Sequence, residues 1–207
     1  MIEQRIKTGR IIPIISIDEA ADVIPLCKAL EAGGLKMAEV TFRTKAAAEA
    51  IALVAREFPD FTLGAGTVTT PPEVEAAKQA GAQFAVAPGL NPRVVRAAQA
   101  ANLPFFPGVA TASDIEAALD CGCQLLKYFP AEPMGGLKMI KALVAPYKHR
   151  GVAFIPTGGI NAANFVEYLA TEGVAAVGGS WLTERAVVKA RDWAAVTRLT
   201  REAVAKL

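Results

Sequence analysis

Short apolar runs alternate with alanine-rich segments of helical period along the whole chain of 207 residues. The runs occupy residues 11–16, 37–42, 62–66, 84–88, 104–109, 124–129, 153–157 and 174–178. Apolar runs of this length, bounded by turn residues, are typical of buried strands, and the longer periodic segments between them are typical of helices. The alternation therefore predicts an α/β protein with eight parallel strands.

Eight such units predict a closed (β/α)8 TIM barrel, and the chain length is near the lower limit of about 200 residues for that fold. Residues 1–8 are predicted to form a short N-terminal helix that closes the bottom of the barrel, and residues 192–206 the last outer helix. A doubly wound open sheet is the alternative, although it usually has fewer strands and the G-x-G-x-x-G fingerprint is missing here. No linker divides the chain, which predicts a single domain over residues 1–207.

The composition excludes several classes of function. Lysine and arginine total 22 against 20 acidic residues and form no basic block, which disfavours extensive binding to nucleic acid or to an anionic membrane. No apolar run approaches the roughly 18 residues of a membrane span, the first ten residues do not have the pattern of a signal peptide, and three cysteines suggest reduced thiols. We therefore expect a cytoplasmic protein. With His149 as the single histidine, we expect no metal or other cofactor.

Lys127 is the most unusual polar residue of the predicted strands. It lies inside QLLKYFP, between Leu126 and Tyr128, whereas nearly every other lysine falls in a polar helix face or a loop. Burial costs an ammonium its hydration and so favours the neutral amine that attacks a carbonyl, as a Schiff-base lysine must. The alternative is a structural lysine that reaches solvent from the strand end or pairs with a carboxylate.

The second predicted strand ends in Glu39-Val40-Thr41-Phe42-Arg43. A period of two puts Glu39, Thr41 and Arg43 on one side, which would bring a carboxylate and a guanidinium into a barrel interior. Glu39 is then suited to move protons and Arg43 to bind a carboxylate through its planar fork. A structural ion pair between the two side chains is the alternative.

Glycine pairs follow the last two predicted strands, in Thr157-Gly158-Gly159 and in Gly178-Gly179-Ser180. In barrels of this type, phosphate binds at the loops after strands 7 and 8, where glycine allows close approach and a helix N-terminus favours the anion. The two pairs together predict a phosphate site, although either pair alone is compatible with an ordinary tight turn.

Seven segments of the chain resemble, in order, motifs of the bacterial 2-keto-3-deoxy-6-phosphogluconate (KDPG) aldolases. They are EVTFRT (39–44), GAGTV (64–68), APGLNP (87–92), PGV (107–109), LKYFPAE (126–132), PTGGI (156–160) and GGSWL (178–182). The resemblance spans essentially the whole chain. It implies a class I aldolase, a carbon–carbon lyase of the (β/α)8 fold and usually a homotrimer, which splits KDPG into pyruvate and glyceraldehyde 3-phosphate in the Entner–Doudoroff pathway. Many members also act on 4-hydroxy-2-oxoglutarate.

Carried over by motif, the resemblance implies that Lys127 forms the Schiff base and that Glu39 accepts and donates protons. It assigns the carboxylate of pyruvate to Arg43 and Thr67. The implied substrate is a phosphorylated keto acid, with no metal and no other cofactor.

The resemblance also implies a lining for the rest of the substrate. Pro88 and Phe129 would line the pyruvate pocket, and Thr157 would lie near the sugar hydroxyls. The phosphate is assigned to residues of the two glycine pairs, Gly158, Gly159, Gly178 and Ser180. The chain departs from the family pattern at Phe42, where leucine is frequent, and at Tyr128, where phenylalanine is frequent, and neither position has a charged role.

Two alternative functions use the same phosphate-binding elements. A phosphosugar isomerase or synthase would need Glu39 but not a buried lysine, and a non-catalytic metabolite-binding barrel would leave the placement of both residues unexplained. Within the aldolases, the sequence leaves open whether the substrate is KDPG or its galactonate epimer.

Overall fold

The computed structural model describes residues 1–207 and contains nine strands, all paired in parallel, that alternate with ten helices. The strands are β1 (Ile11–Ile15), β2 (Met37–Thr41), β3 (Thr62–Gly66), β4 (Phe84–Val86), β5 (Phe105–Phe106), β6 (Gly108–Val109), β7 (Leu125–Tyr128), β8 (Ala153–Pro156) and β9 (Val177–Gly179). The α/β alternation follows the sequence pattern closely.

The helices are α1 (Ile2–Gly9), α2 (Val23–Ala32), α3 (Ala47–Glu57), α4 (Pro71–Gln79), α5 (Pro92–Ala100), α6 (Ala112–Asp120), α7 (Gly136–Tyr147), α8 (Phe165–Leu169), α9 (Arg185–Lys189) and α10 (Trp193–Val204). The short N-terminal helix and the long final helix are both present. Capping boxes begin α4 at Thr70 and α6 at Thr111, where each threonine side chain accepts a backbone N–H and the acidic residue three positions later bonds back. None of these helices combines the length and the apolar character that crossing a membrane requires.

The prediction of a closed eight-stranded (β/α)8 barrel is wrong. The strands form a six-stranded sheet in the order β5-β4-β3-β2-β1-β9 and a separate three-stranded sheet in the order β6-β7-β8. Pro107 divides the predicted fifth strand into β5 and β6, because proline has no backbone N–H to continue the ladder. Between β8 and β9 only two isolated bridges form, Phe154 with Val174 and Thr157 with Gly178, so the ladder is interrupted there as well.

The doubly wound alternative does not describe the sheet either. From β1 to β5 each strand pairs with the next one in the sequence, whereas a doubly wound sheet reverses its strand order at a switch point. The register is fixed by pairs such as Ile14 with Glu39 and Glu39 with Gly64. These pairings place the carboxyl ends of neighbouring strands at one edge.

The two sheets share an apolar interior that positions the polar residues above it. One cluster of nine buried residues joins side chains from both sheets, among them Met37 of β2 and Leu125 of β7, and Ile6 of α1 contributes from below. Since side chains on a strand alternate between its two faces, Glu39 and Lys127 point the same way as Met37 and Leu125. The interior therefore carries apolar side chains toward the amino ends of the strands and polar ones toward the carboxyl ends.

Candidate active site

Lys127 and Glu39 form a buried ion pair between the two sheets. Nζ of Lys127 lies 3.2 Å from Oε1 of Glu39, and the two residues are 6% and 3% exposed. The ring of Phe129 lies beside the amine, with its centroid 5.7 Å from Nζ. Lys127 therefore faces the interior, as the strand alternation predicts. There it pairs with a carboxylate and does not reach solvent.

Gly66 at the end of β3 makes room for the Glu39 carboxylate. A Cβ at this glycine would overlap Oε1 and Cγ of Glu39, so that even alanine would displace the side chain. The β2–β3 register pairs Glu39 with Gly64 and Thr41 with Gly66, so the Glu39 side chain lies over a residue two positions beyond its own partner. Gly66 is thereby part of the site although it has no functional group.

The pair lies in a cavity of about 200 Å³ at the carboxyl ends of the strands. Its lining comes from seven strands or the loops that follow them: Ile14, Glu39, Thr41, Arg43, Thr67, Pro88, Lys127, Phe129, Thr157, Gly158, Gly159, Ile160, Gly179 and Ser180. Ligands of open parallel sheets bind outside this edge. Drug-sized ligands occupy cavities of about 300–1,000 Å³, so a space of this size fits a small metabolite.

Arg43 lies in the turn after β2 and faces the cavity. Its Nε donates to Oγ1 of Thr41 at 3.2 Å, and that hydroxyl in turn donates to the carbonyl oxygen of Ile15 at 3.1 Å. No ion pair joins Arg43 to Glu39, which excludes the structural pair considered from the sequence. The terminal nitrogens of the guanidinium are therefore available to an anion in the cavity.

Thr67 follows β3 and has a backbone φ of 59°, in the left-handed region. A β-branched residue rarely adopts this conformation, which costs about 1–3 kcal/mol and is typical of functional sites. Pro88, after β4, closes the neighbouring wall, and its carbonyl group packs so closely on Gly108 that any side chain at that glycine would overlap it. Thr67 and Pro88 thus both line the cavity.

The turn after β8 presents backbone N–H groups to the cavity. Gly158 and Gly159 have φ values of 97° and 84°, which favour glycine. The N–H groups of Gly158, Gly159 and Ile160 donate to no atom of the chain. Helix α8 begins only at Phe165, after a turn of its own, so the free donors belong to the glycine turn and not to a helix start.

The residues at the end of β9 have different roles. Gly179 and Ser180 line the cavity, whereas Gly178 does not. Gly178 lies beside Thr157, and a Cβ there would come within 2.5 Å of the Thr157 Oγ1. Its small size therefore leaves room for Thr157, whose side chain is buried and faces the cavity.

Two contributors were not assigned a role from the sequence: Thr41 orients Arg43 and Gly66 admits Glu39. Gly179, a member of the second glycine pair, lines the wall. The period of two in the second strand placed Thr41 on the correct face, but its hydrogen bond to Arg43 depends on the turn that follows. The clearances at Gly66 and Gly179 have no signal in the sequence beyond the glycine itself.

The rest of the molecule offers no comparable site. Two hollows of about 400 and 560 Å³ lie at the amino ends of the strands beside α1, with no buried charged pair. One of about 340 Å³ adjoins the cavity and shares Ile14, Arg43 and Ser180 with it, and one of about 230 Å³ is lined by surface charges such as Asp18 and Arg191. No three side chains of histidine, cysteine, aspartate or glutamate lie close enough together to hold a metal ion.

The arrangement suits addition of an amine to a carbonyl. An amine lies within hydrogen-bond reach of a carboxylate that can accept its proton, and together they form a nucleophile with its base. Arg43 provides a cation in the same cavity, and the glycine turn provides free N–H groups there. A carbonyl compound with two acidic groups would match all of these features.

The chain is similar to known aldolases in both sequence and structure. The family model "Aldolase: KDPG and KHG aldolase" matches residues 2–199. The 2-dehydro-3-deoxy-phosphogluconate aldolase of Haemophilus influenzae is 44% identical over 203 residues, which cover 98% of this chain and 95% of the relative.

Two solved structures are similar over almost their whole length. The KDPG aldolase of Legionella pneumophila, with pyruvate captured as a covalent carbinolamine, matches with a TM-score of 0.93 and 40% identity and covers 97% of each chain. The 2-keto-3-deoxy-6-phosphogluconate aldolase of Zymomonas mobilis with 3-phosphoglycerate matches with a TM-score of 0.92 and 38% identity, covering 100% of this chain and 96% of that one.

Proposed function

The chain belongs to the KDPG and KHG aldolase family, and from that premise we propose that it cleaves KDPG into pyruvate and glyceraldehyde 3-phosphate in the Entner–Doudoroff pathway. As an aldolase it is a carbon–carbon lyase, and the reaction proposed is of class I, through a Schiff base. The observation that carries this proposal is the buried Lys127–Glu39 pair inside a small cavity. A phosphosugar isomerase or synthase would have no use for the lysine.

The reaction begins at Lys127. Glu39 is within hydrogen-bond reach of Nζ and can take a proton from it, which leaves the neutral amine. The amine adds to the C2 ketone of KDPG. Glu39 then returns the proton to the carbinolamine hydroxyl, which leaves as water and gives a protonated imine, and Glu39 is a carboxylate again. This imine is the electron sink of the reaction.

The Glu39 carboxylate then acts as the base for cleavage of the C3–C4 bond. It accepts the proton of the C4 hydroxyl as the C3–C4 bond breaks, so that glyceraldehyde 3-phosphate leaves with a new carbonyl group. The electron pair of the bond moves into the imine and gives an enamine. Protonation at C3 and hydrolysis release pyruvate and regenerate Lys127.

The polar groups of the cavity match the two acidic groups of the substrate. We assign the carboxylate of the substrate to Arg43 and Thr67. Pro88 and Phe129 would line the pocket around the part of the substrate that becomes pyruvate. Arg43 has free terminal nitrogens, and a guanidinium binds a carboxylate through two parallel hydrogen bonds. Thr67 adds a hydroxyl that has no partner within the chain.

The phosphate of the substrate is assigned to the two glycine turns. The donors are the free N–H groups of Gly158 and Gly159 together with the hydroxyl of Ser180, which also faces the cavity. Successive backbone N–H groups in a turn form a favourable site for an anion. Gly178 contributes by leaving room for Thr157 and not by contact.

The function is tested by pyruvate release from three substrates. We expect the chain to release pyruvate from KDPG and, more slowly, from 4-hydroxy-2-oxoglutarate, which lacks the phosphate. The galactonate epimer of KDPG is the third substrate and measures selectivity at C4. If KDPG releases no pyruvate, the proposed function is wrong.

Dialysis against EDTA is expected to leave the KDPG rate unchanged. A loss of activity that zinc or magnesium restores would require a metal-dependent mechanism instead.

Thr157 is expected to favour KDPG over its galactonate epimer. Its buried hydroxyl makes only a long hydrogen bond of 3.4 Å, to the carbonyl oxygen of Ile155, and is therefore free to bond a substrate hydroxyl. Losing one such bond costs about 1–3 kcal/mol, or roughly 5- to 150-fold in relative rate. Thr157→Val should lower kcat/KM for KDPG while sparing the epimer. Equal losses on both substrates would show that Thr157 only shapes the turn.

We also propose a cytoplasmic homotrimer. The three cysteines are free thiols, as expected in a reducing compartment, and the trimer follows from the family resemblance. Light scattering would measure the mass of three chains if this assembly forms, and the mass of one chain if it does not.

A further inference from the structure

The segment from Pro130 to Gly136, which joins β7 to α7, packs against the glycine turn after β8. A Cβ at Gly158 would lie 3.2 Å from Cα and Cβ of Pro130, and one at Gly159 would lie 2.5 Å from Cγ of Glu132. The methylene groups of Glu132 thus occupy the space directly behind Gly159. Glu132 itself does not line the cavity. This segment therefore supports the turn from the side opposite the substrate.

Backbone hydrogen bonds join the same two segments. The N–H of Ala131 donates to the carbonyl oxygen of Thr157 at 2.7 Å, and the N–H of Glu132 donates to that of Gly158 at 3.0 Å. Both carbonyl groups are therefore directed toward the supporting segment. The segment also continues directly from the strand that carries Lys127, so it links the amine to the turn.

Two asparagine side chains hold the next carbonyl group. The Nδ2 atoms of Asn161 and Asn164 donate to the carbonyl oxygen of Gly159 at 3.1 and 3.0 Å. With the carbonyl groups of Thr157, Gly158 and Gly159 all engaged, the adjacent N–H groups remain free to face the cavity. The orientation of the turn therefore depends on the groups that hold its carbonyl oxygens.

Tyr168 of α8 fixes the side chain of Glu132. Its hydroxyl donates to Oε1 of Glu132, and the tyrosine is only 1% exposed. Glu132 is exposed on its other side and forms no ion pair, so the tyrosine is its one side-chain partner. Burial, together with the hydrogen bond to Glu132, raises the pKa of Tyr168 above its ordinary value, so the hydroxyl remains a donor even in alkaline solution.

We propose that Glu132 and Tyr168 are positioning residues that hold the Gly158–Gly159 turn in the conformation that binds the substrate phosphate, an inference that rests on the proposed function. Without the hydrogen bond, Glu132 is free to rotate into solvent, and the support behind Gly159 is lost. The N–H groups would then no longer converge on the phosphate. Neither residue touches the substrate, and Lys127 keeps its place in β7.

The test compares two variants with a matched control. Tyr168→Phe removes the hydroxyl and keeps the buried ring, and Glu132→Ala removes the support from an exposed position, where folding is least affected. The control is Tyr147→Phe, since the Tyr147 hydroxyl likewise donates to a glutamate, Oε1 of Glu116 at 2.8 Å, on helices away from the turn. For each protein, kcat and KM are measured on KDPG and on 4-hydroxy-2-oxoglutarate.

Both variants should lose about 5- to 30-fold in kcat/KM on KDPG, mainly through KM, the size expected when a hydrogen bond is lost. On 4-hydroxy-2-oxoglutarate, which has a carboxylate and no phosphate at that end, the loss should be clearly smaller than on KDPG, and Tyr147→Phe should match the unaltered protein on both substrates. Equal losses on the two substrates, or no loss on KDPG, would overturn the inference.

A binding measurement separates this inference from the proposed function. Glycerol 3-phosphate should raise the unfolding temperature of the unaltered protein more than glycerol does, and this difference should shrink in Tyr168→Phe and Glu132→Ala but not in Tyr147→Phe. The measurement needs no aldolase activity. An undiminished difference in the two variants contradicts the inference, whereas failure of all pyruvate release contradicts the proposed function.

Discussion

Lys127→Arg is expected to abolish cleavage of KDPG, with a loss in kcat/KM on the order of 10⁴-fold or more, as removal of a catalytic nucleophile typically causes. Arginine keeps the positive charge opposite Glu39, so the buried pair does not lose its electrostatic balance. A guanidinium stays protonated at any accessible pH and does not form an imine with a ketone. The variant therefore separates the charge of Lys127 from its chemistry.

A matched control is Lys138→Arg, on the exposed surface of α7, which should retain full activity. Circular dichroism and the unfolding temperature of both variants show whether the fold is intact. If Lys127→Arg folds and still releases pyruvate from KDPG at a substantial rate, Lys127 is a structural partner of Glu39 and the Schiff base forms elsewhere.

Glu39→Gln is expected to lower kcat on KDPG by about 10²- to 10⁴-fold, the usual contribution of general acid–base catalysis. Glutamine has nearly the same shape and fits the space that Gly66 leaves, but its amide neither accepts the proton of Lys127 nor that of the C4 hydroxyl. Because the amine remains in place, imine formation with pyruvate should continue at a reduced rate.

The control for this substitution is Glu31→Gln, which breaks the Glu31–Lys36 ion pair of 2.9 Å at the surface. An exposed pair contributes about 0–1 kcal/mol to stability, so this variant should retain both its fold and its activity. A kcat of Glu39→Gln within a few-fold of the unaltered value would show that another group moves the protons.

The secondary structure was predictable because each strand carries a local apolar signal and each helix has its own period. The closure of the sheet was not, because it depends on single interruptions. Pro107 lies inside an apolar run that otherwise continues, and its missing N–H separates β5 from β6. Near β8 and β9 only isolated bridges form, Phe154 with Val174 and Thr157 with Gly178, and no local feature of the sequence marks this gap. Neither interruption changes the alternation of apolar runs and helical segments in the sequence, which therefore still predicts eight strands.

The site residues were predictable to the extent that strand periodicity fixes their direction. Lys127 and Glu39 each lie two positions after an interior apolar residue, so their convergence follows from the alternation of side chains. Thr41 acts through its hydrogen bond to Arg43, which depends on the turn after β2. Gly66 acts by leaving space for Glu39 of the neighbouring strand, which depends on the strand register. The role of Gly178 differs from that of Gly179 for the same reason, since neighbouring glycines face opposite sides of β9.

Borohydride reduction in the presence of pyruvate tests the central claim most directly. The imine between pyruvate and Lys127 would be reduced to a stable secondary amine, which adds to the lysine the mass of pyruvate less one oxygen atom. Peptide mass spectrometry should find this addition on the peptide that contains Lys127, in proportion to the loss of activity, and it should be absent from Lys127→Arg. Modification of a different lysine, or loss of activity without any addition at Lys127, would contradict the account.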